Sequence, residues 1–339
     1  MKRLNIALLA GGNSSERGIA LQSAAQVAEG LDSAKYDITV VDLHNRDWVH
    51  TAADGEKCSV DRNDFSITIG GQKRVFDYAL IIIHGTPGED GMLQGYLEMM
   101  GVPFSSGSMT SSAVTFDKIL TKRAVAGCSV SMAKEILVQR GESVDAAAVV
   151  AELGLPLFVK PNASGSSFGV SKVKAKEELQ AAIDEAFTEG SAVLIEEALV
   201  GREVSCGVMI TADGREYLMP ITEMITKREF FDHEAKYTPG LCEEITPALL
   251  DADVVKRLNE KTLATYRACR CRGVVRIDFI ISESGEPYMI EVNSIPGMSS
   301  GSIIPQQIRA AGMTVGEFYD IVIEDTYKSQ MANACNSNK

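Results

Sequence analysis

Short apolar runs alternate with helical patterns through the first third of the chain. Residues 5–9, 37–43 and 78–83 are rich in Ile, Leu and Val, which is typical of buried strands. Apolar positions at helical spacing predict helices at 19–31 and 92–100. This alternation predicts a parallel sheet with helices on both faces and a ligand site at the carboxyl ends of its strands.

Two loops follow those strand ends, AGGNSSER at 10–17 and HGTPGEDG at 84–91. The first lacks the full G-x-G-x-x-G spacing, so a dinucleotide site is not favoured. Glu16 has two open interpretations: a first-turn acid that complements the dipole of the following helix, or a ligand for a substrate ammonium group. A lone histidine such as His84 is commonly structural, but its position at the end of a strand favours a pocket.

A second series of helices and strands begins after residue 101. We predict a helix at 113–126, a strand at 133–138, a helix at 144–153 and a strand at 157–160. The next segment, KPNASGSSFGVSKV, is not a Walker loop, but its glycines and small hydroxyl residues suit a loop whose backbone N–H groups close over phosphates. It is either an ordinary surface hairpin loop or, with Lys160 at its edge, a phosphate site.

The following strand, AVLIE at 192–196, can offer backbone groups to an adenine edge, and Glu203 could accept ribose hydroxyls or be solvated. The segment 227–240 is polar and aromatic with weak periodicity, which predicts a long functional loop or lid. An amphipathic helix is predicted at 251–271. A final helix near 314–327 is followed by about a dozen residues that we expect to fray.

The segment RIDFIISESGEPYMIEVN predicts a β-hairpin with a two-residue turn at 284–285. That turn sets Asp278 opposite Glu291 and Arg276 opposite Asn293, all four on one face. The other face then carries four apolar residues, Ile277, Phe279, Ile290 and Val292. Facing carboxylates roughly 5 Å apart repel, and a hard cation such as Mg²⁺ would relieve the repulsion and hold phosphates. The alternative is a solvated hairpin face on which Arg276 offsets the acids.

Length, charge and cysteine usage narrow the class of protein. A chain of 339 residues is expected to fold as two or three domains. A net charge of -13 at pH 7 argues against a general binder of nucleic acid or of anionic membranes. The N-terminal apolar run is too short for a signal peptide, and no apolar run reaches the ~20 residues that span a bilayer. Seven scattered cysteines without a CxxC pair predict free thiols in a reducing cytoplasm.

Ten motifs follow one another along nearly the whole chain: GGNSSER, HGTPGEDG, DK at 117–118, LPLFVKPN, SGSSFG, LIEEAL-x-GRE, HEAKY, RIDF, EVN-x-x-PGM and SSGSIIP. Each motif alone is weak, but the ordered set resembles the D-alanine–D-alanine ligases of the ATP-grasp superfamily. The resemblance implies an α/β fold of three domains. These are an N-terminal Rossmann-like parallel-sheet domain (1–108) and two α+β lobes (109–198 and 199–339) that hold ATP between them.

The resemblance also implies an activity. ATP converts the carboxylate of one D-alanine into an acylphosphate, and the amine of a second D-alanine displaces phosphate to give D-alanyl-D-alanine for peptidoglycan. ATP, two Mg²⁺ ions (with Mn²⁺ as a substitute), a homodimer and a cytoplasmic location are implied with it. The alternatives are a D-alanine–D-lactate or other dipeptide ligase, and a nucleotide-binding protein that has lost catalysis. Tyr237 in HEAKY favours the dipeptide product, because D-lactate ligases typically carry Phe there.

Individual residues are assigned through the same motifs. For the nucleotide, the resemblance implies Lys118, Lys160, Ser166, Ser167, Glu196, Glu197, Leu199 and Glu203. For the metal ions it implies Asp278, Glu291 and Asn293, with Glu291 bridging. For the two D-alanines it implies Glu16, His84, Lys236, Arg276 and Ser302. For catalysis it implies Glu16, Ser166 and Tyr237, which latch the lid, and Arg276 and Gly297, which face the oxyanion.

Overall fold

The computed structural model describes residues 3–165, 168–226 and 242–337, with side chains as far as residue 332. Within these ranges the strands form three sheets. No helix in the described part of the chain combines the length and the apolar character needed to cross a bilayer. The six cysteines with described side chains are all free thiols, as the sequence predicts.

The first sheet has seven strands in the order β6-β5-β4-β3-β2-β1-β7. The strands are β1 (Leu4–Gly11), β2 (Tyr36–His44), β3 (Asp47–Thr51), β4 (Lys57–Asp61), β5 (Ser66–Ile69), β6 (Gln72–Val75) and β7 (Tyr78–Ile81). β1 pairs in parallel with β2 and β7, but β2 to β6 pair antiparallel. The three predicted strands therefore pair in parallel as expected, and the antiparallel strands β3 to β6 are an extension that the sequence analysis did not predict. A turn signal was present there, because Gly70 and Gly71 both take positive φ, as a two-residue hairpin turn requires.

Helices cover both faces of this sheet, as the sequence predicts. Ile6 and Leu8 pack on one face with helix α1 (Arg17–Gly30) and the C-terminal helix α9 (Val315–Ser337). Ala7 and Leu9 point to the other face, which is covered by α2 (Met92–Met100). The alternation follows from the period of two in a strand, and it leaves the loops after β1 and β7 together at the carboxyl edge.

The second sheet is antiparallel, in the order β11-β10-β12-β9. Its strands are β9 (Glu135–Gln139), β10 (Leu157–Pro161), β11 (Ser171–Val173) and β12 (Ala192–Glu197), and it packs against α5 (Ala146–Leu153) and α6 (Leu179–Glu189). The single helix predicted at 113–126 is instead two, α3 (Met109–Phe116) and α4 (Lys118–Val125). Asp117 separates them with extended backbone, and its side chain caps α4 by accepting the Leu120 N–H. The break places Lys118 at the first turn of α4.

The third sheet runs β16-β15-β13-β17-β18-β8, with β14 paired to β13. Its strands are β8 (Ser131–Met132), β13 (Gly201–Ile210), β14 (Glu216–Leu218), β15 (Thr222–Thr226), β16 (Cys242–Ile245), β17 (Val275–Ser282) and β18 (Pro287–Asn293), and it packs on α7 (Ala252–Ala268). The three sheets follow the three predicted domains except for β8, which comes from the range 109–198 but pairs with β18. The domain boundaries themselves stay a prediction.

The hairpin β17–β18 has the predicted register where it matters but not the predicted turn. Asp278 lies opposite Glu291, and Arg276 lies opposite Asn293. The loop has three residues, 283–285, because the Ser282 N–H donates to the Glu286 carbonyl at 3.0 Å and Gly285 takes the left-handed position.

A β-bulge in β18 compensates for the longer turn. Phe279 pairs with Met289, so Ile290 is an extra residue between the Met289 and Glu291 pairs. Ile290 therefore does not join the apolar core beneath the sheet, which contains Ile277, Phe279, Met289 and Val292. It lines a cavity on the opposite face instead, which corrects its predicted placement.

Two helices after the hairpin connect the third sheet to the first. α8 (Ile303–Ala310) and α9 share a core with the first sheet through Ile304, Phe318 and Val322. The C-terminal dozen residues, predicted to fray, are helical as far as Ser337. Gln330 holds this last stretch by donating to the Phe104 carbonyl at 2.7 Å.

Candidate active site

Two adjoining cavities lie along the polar face of the β17–β18 hairpin. The first, of about 310 Å³, is bounded by the loops after β1 and β7 and by the segment after β18. The second, of about 180 Å³, lies between the second and third sheets. Six residues line both cavities: Lys118, Ser164, Gly165, Arg276, Asp278 and Glu291. The hairpin is therefore the shared wall of two neighbouring binding spaces.

A buried ion pair lies at this wall. Arg276 donates from Nε to Asp278 Oδ1 at 2.9 Å and from Nη2 to Oδ2 at 2.8 Å. Burial acts to lower the pKa of Arg276, but Asp278, Glu291 and Glu89 outweigh it and raise the pKa above its ordinary value. The guanidinium is thus permanently charged. Because Nε and Nη2 both donate to Asp278, the third nitrogen, Nη1, is directed away from that carboxylate.

Two neutral groups also bind Asp278. Ser205 on β13 donates to Oδ1 at 2.6 Å, and the Asn293 amide nitrogen donates to Oδ2 at 2.9 Å. Sequence reasoning missed Ser205, because nothing in GREVSC marks a serine that faces the neighbouring strand. The Asp278 carboxylate is therefore held by side chains from three strands, β13, β17 and β18.

Glu291 differs from Asp278 because its side chain is 37% exposed and Lys118 Nζ lies 3.8 Å from its Oε2. The donor set at this point of the wall is two carboxylates and an amide, which suits a hard divalent cation. Among the described residues no group of three or more His, Cys, Asp and Glu side chains could hold a metal ion. A cation here would therefore need further oxygens from Asn293, from phosphates or from water, which fits a metal that arrives with a nucleotide.

A chain of buried charges forms the far end of the second cavity. Glu196 accepts from Lys122 Nζ and from Lys160 Nζ, each at 2.5 Å, and Lys122 also donates to Glu135 at 2.9 Å. Burial acts to raise the pKa of Glu196, but the two ammonium groups outweigh it and lower the pKa below its ordinary value. Glu196 is therefore an ionised acceptor, and Lys122 is a supporting residue that sequence reasoning missed.

Lys118 points its ammonium group to the junction of the cavities and donates to the Ser164 carbonyl at 3.0 Å. Burial lowers its pKa, and Lys160 acts in the same direction against the attraction of Glu291. The second cavity is also lined by five acids: Glu196, Glu197, Glu203, Asp278 and Glu291. The positive charge that could attract an anionic ligand is therefore local to Lys118 and Lys160.

Glu16 and His84 lie at the opposite end, in the first cavity. His84 Nδ1 is 2.8 Å from the Ile295 carbonyl, so the loop after β7 touches the segment after the hairpin. A Cβ built on Gly165 would lie 3.3 Å from Glu16 Oε2, so the glycine-serine loop approaches Glu16 closely. Glu16 also occupies the N-cap position of α1 without a capping side-chain hydrogen bond, and its role as a ligand for an ammonium group stays a prediction.

Gly297 and Ser302 line the same cavity beyond Arg276. A Cβ on Gly297 would lie 2.8 Å from Ser302 Oγ, so only glycine lets the chain pass this close to the hydroxyl. The Ser302 hydroxyl is 2.8 Å from that of Ser299.

The structure brings together most of the predicted residues. The first cavity contains Glu16, His84, Asn293, Gly297 and Ser302. The second contains Lys160, Glu196, Glu197, Leu199 and Glu203. Ser166, Ser167, Lys236, Tyr237 and the predicted lid at 227–240 lie outside the described residues.

Glu89 lines the first cavity although the sequence analysis did not single it out. Burial and the neighbouring Glu16 raise its pKa to about 7, against the opposing effect of the Gly85 and Ile295 N–H groups and of Arg276. Its motif, HGTPGEDG, was recognised, but which of its two acids faces the cavity depends on the loop conformation.

Comparison with known proteins identifies this constellation. The family model described as D-ala D-ala ligase N-terminus matches residues 5–107, and that of the D-ala D-ala ligase C-terminus matches residues 124–324. The chain belongs to the D-alanine–D-alanine ligase family. The resemblance inferred from the ten motifs is confirmed, and with it the prediction of a ligase of the three-domain ATP-grasp class.

Individual relatives agree with this assignment. A D-alanine–D-alanine ligase of Phocaeicola vulgatus is 43% identical over 327 residues, which is 96% of this chain and 100% of that protein. A solved structure of the VanG D-Ala:D-Ser ligase from Enterococcus faecalis has a TM-score of 0.85 and 31% identity, covering 96% of this chain and 100% of that one. The D-alanine–D-alanine ligase from Bacillus anthracis, solved in complex with ATP, has a TM-score of 0.78 and 28% identity over 97% of this chain and 99% of that one.

Proposed function

We propose that this chain joins two molecules of D-alanine at the expense of ATP and so supplies D-alanyl-D-alanine for peptidoglycan synthesis. One observation carries the proposal: a cavity with an acid at its far end and a cavity with lysines meet at Arg276, Asp278 and Glu291. Such an arrangement sets an amino acid and a nucleotide end to end, with their reacting groups at the shared wall.

In the first step, a carboxylate oxygen of one D-alanine attacks the γ-phosphorus of ATP, and the bond to the β-phosphate oxygen breaks as ADP takes the electron pair. Lys118 and Lys160 lie where they can neutralise the phosphates, and Glu16 can hold the ammonium group of the amino acid. Two Mg²⁺ ions, or Mn²⁺ in their place, are proposed to be held by Asp278, Glu291 and Asn293 and to neutralise charge on the transferring phosphoryl group.

In the second step, the amine of the second D-alanine attacks the carbonyl carbon of D-alanyl phosphate. The tetrahedral carbon then expels phosphate, which takes the C–O electron pair, and the proton released from the amine passes to phosphate or solvent. The Nη1 end of Arg276 and the Gly297 N–H are the donors proposed for the oxyanion. Ser302 and Lys236 are proposed to bind the carboxylate of the second D-alanine, and His84 lies beside the first.

The remaining assignments concern the nucleotide and the lid. Glu196, Glu197 and Leu199 are proposed to face the adenine, and Glu203 the ribose. Ser166 and Ser167 are proposed to cover the γ-phosphate, and Tyr237 to latch the lid with Ser166 and Glu16. Closure would exclude the water that hydrolyses an acylphosphate.

The test is phosphate release and product mass with D-alanine as the sole amino acid. We expect one phosphate and one D-alanyl-D-alanine per ADP, and an absence of turnover on D-alanine alone would refute the assignment. D-lactate and D-serine are then supplied as co-substrates. A D-alanine–D-serine product is the second candidate, because the VanG D-Ala:D-Ser ligase is among the structural relatives.

A homodimer and a cytoplasmic location are proposed together with this function. The cytoplasmic proposal rests on the free thiols and on a substrate, ATP, that is made inside the cell. Light scattering of the purified chain tests the dimer, and a mass near twice 36.5 kDa is expected.

A further inference from the structure

Glu89 connects two segments that are far apart in sequence. Its Oε2 accepts the Gly85 N–H at 2.8 Å, four residues back in its own loop. Its Oε1 accepts the Ile295 N–H at 3.2 Å, in the segment that follows the catalytic hairpin. Both carboxylate oxygens are thus bonded to backbone amides, one from each side of the first cavity.

The same loop also holds Ile295 through its carbonyl. His84 Nδ1 lies 2.8 Å from the Ile295 oxygen, so the amide nitrogen and the carbonyl oxygen of one residue are both bound by the 84–91 loop. The Ile295 side chain is 5% exposed and packs in the core beneath the first sheet with Ile83 and Leu93. Ile295 is therefore fixed by two polar contacts and by packing, and it stands midway between Asn293 and Gly297 in the chain.

Glu89 makes these contacts at a place where its ionised form is disfavoured. Glu89 lies close to Glu16, and the like charge disfavours its ionised form. A neutral side chain with one acceptor would close the local turn at Gly85 without that repulsion. The two oxygens of the Glu89 carboxyl group instead hold two amides at once, those of Gly85 and Ile295.

We propose that Glu89 is a positioning residue for the ligase reaction. Its carboxylate fastens the segment 294–297 to the loop of His84, so that the Gly297 N–H faces the cavity at a set distance from the first amino-acid site. The inference rests on the proposed function, because it assigns Gly297 to the oxyanion. Loss of the fastening would leave ATP binding intact, since Glu89 does not line the second cavity.

The test compares Glu89→Gln with Asp90→Asn. Glutamine keeps the shape and one acceptor oxygen, but its amide nitrogen would face one of the two N–H donors. Asp90 is the matched control, since its carboxylate accepts from Thr86 and Met92 within the same loop and has no contact across the cavity among the described hydrogen bonds. We expect Glu89→Gln to lower kcat for dipeptide formation about tenfold, as expected for loss of a hydrogen bond to a charged group, with the KM for ATP unchanged.

The ratio of ADP to dipeptide separates positioning from mere structural damage. A misplaced oxyanion donor slows the second step more than the first, so acylphosphate is lost to water and more than one ADP forms per dipeptide. A partly unfolded enzyme would lose both products together and keep the ratio at one. A ratio of one in Glu89→Gln, or an equal loss of rate in Asp90→Asn, would overturn the proposal.

Hydrogen exchange of the unliganded protein tests the fastening without reference to activity. We expect the Gly85 and Ile295 amides to exchange at least about tenfold faster in Glu89→Gln than in the wild type, and to be unchanged in Asp90→Asn. Unchanged exchange at Ile295 would show that the contact does not hold the segment. Should the wild type make no dipeptide, the proposed function fails on its own evidence, while the exchange rates still decide whether Glu89 fastens the two segments.

Discussion

Replacing Arg276 with methionine removes a buried cation that donates two hydrogen bonds to Asp278. The arginine is 9% exposed and the aspartate 6%, and the pair is joined through two guanidinium nitrogens. Ser205 and Asn293 would remain on the carboxylate, but neither carries a charge. Breaking a buried pair from one side costs about 3–5 kcal/mol, so we expect Arg276→Met to lower the free energy of unfolding by about that amount.

The same substitution removes the preorganised donor that is proposed for the oxyanion. A single donor of this kind is worth roughly 3 kcal/mol in the transition state, or a loss in kcat of about a hundredfold to a thousandfold. The ground-state affinity for ATP should change little, because Arg276 meets the nucleotide cavity only at its junction edge. The loss of stability would therefore come from the broken ion pair with Asp278, and the loss of rate from the missing donor to the oxyanion.

The two effects are separated with a second substitution. In Arg276→Met/Asp278→Asn the carboxylate charge is removed as well, so denaturant unfolding should recover most of the lost stability, while dipeptide formation stays at least about a hundredfold slower. Arg267→Met is the control, since its partner Glu216 is at the surface and such pairs contribute at most about 1 kcal/mol. If Arg276→Met is fully folded at the assay temperature and forms dipeptide within about threefold of the wild-type rate, the oxyanion assignment is refuted.

Three further predictions follow from the site. Lys122→Met removes a buried support of Glu196, and we expect initial-rate kinetics to show a KM for ATP raised about tenfold with the KM for D-alanine unchanged. Glu291→Gln removes the more exposed carboxylate of the metal set, so titration of ADP release with Mg²⁺ should require a higher concentration for half-maximal rate. Glu89 has a folded-state pKa of about 7 against an ordinary value of 4.5, so the folded state retains a proton that the unfolded state releases between these pH values. Its contribution to stability is present at low pH and lost as pH rises to 7, by at most about 3 kcal/mol. Denaturant unfolding at pH 5 and pH 8 should show that Glu89→Gln lacks this loss, and an identical pH dependence would contradict it.

The hairpin shows how far sequence reasoning reaches. The pairing of Asp278 with Glu291 was predicted from a two-residue turn, and the pairing is right although the turn is wrong. The three-residue loop shifts the strands by one position, and the bulge at Ile290 shifts them back. The sequence gives no signal of a bulge at Ile290, because an apolar residue next to Glu291 is also what a regular strand with alternating polar and apolar residues would have.

Other parts of the site depended on contacts that sequence patterns do not encode. In the sequence Lys122 cannot be distinguished from other helical lysines, because its ion pairs with Glu135 and Glu196 form only when α4 packs beside the second sheet. The proposed role of Glu89 depends on its hydrogen bond to the Ile295 N–H, and Ile295 lies 206 residues away in the sequence. By contrast, the Gly70-Gly71 pair is a typical two-residue hairpin turn, and it could have predicted the antiparallel extension of the first sheet.

The bulge also explains why one hairpin can serve both cavities. Along β17 the residues facing the cavities are Ile280, Asp278 and Arg276, in that order from the loop end of the hairpin. Ile280 lines only the nucleotide cavity, while Asp278 and Arg276 line both. On β18 the bulge adds Ile290, which lines the same cavity as Ile280, without moving Glu291 from Asp278. The wall thus changes from apolar to acidic to basic, which matches the order of a purine, a metal-bound phosphate and a developing oxyanion. Substitutions at Ile280 or Ile290 should then affect nucleotide binding alone, whereas a change at Asp278 or Arg276 affects both half-reactions.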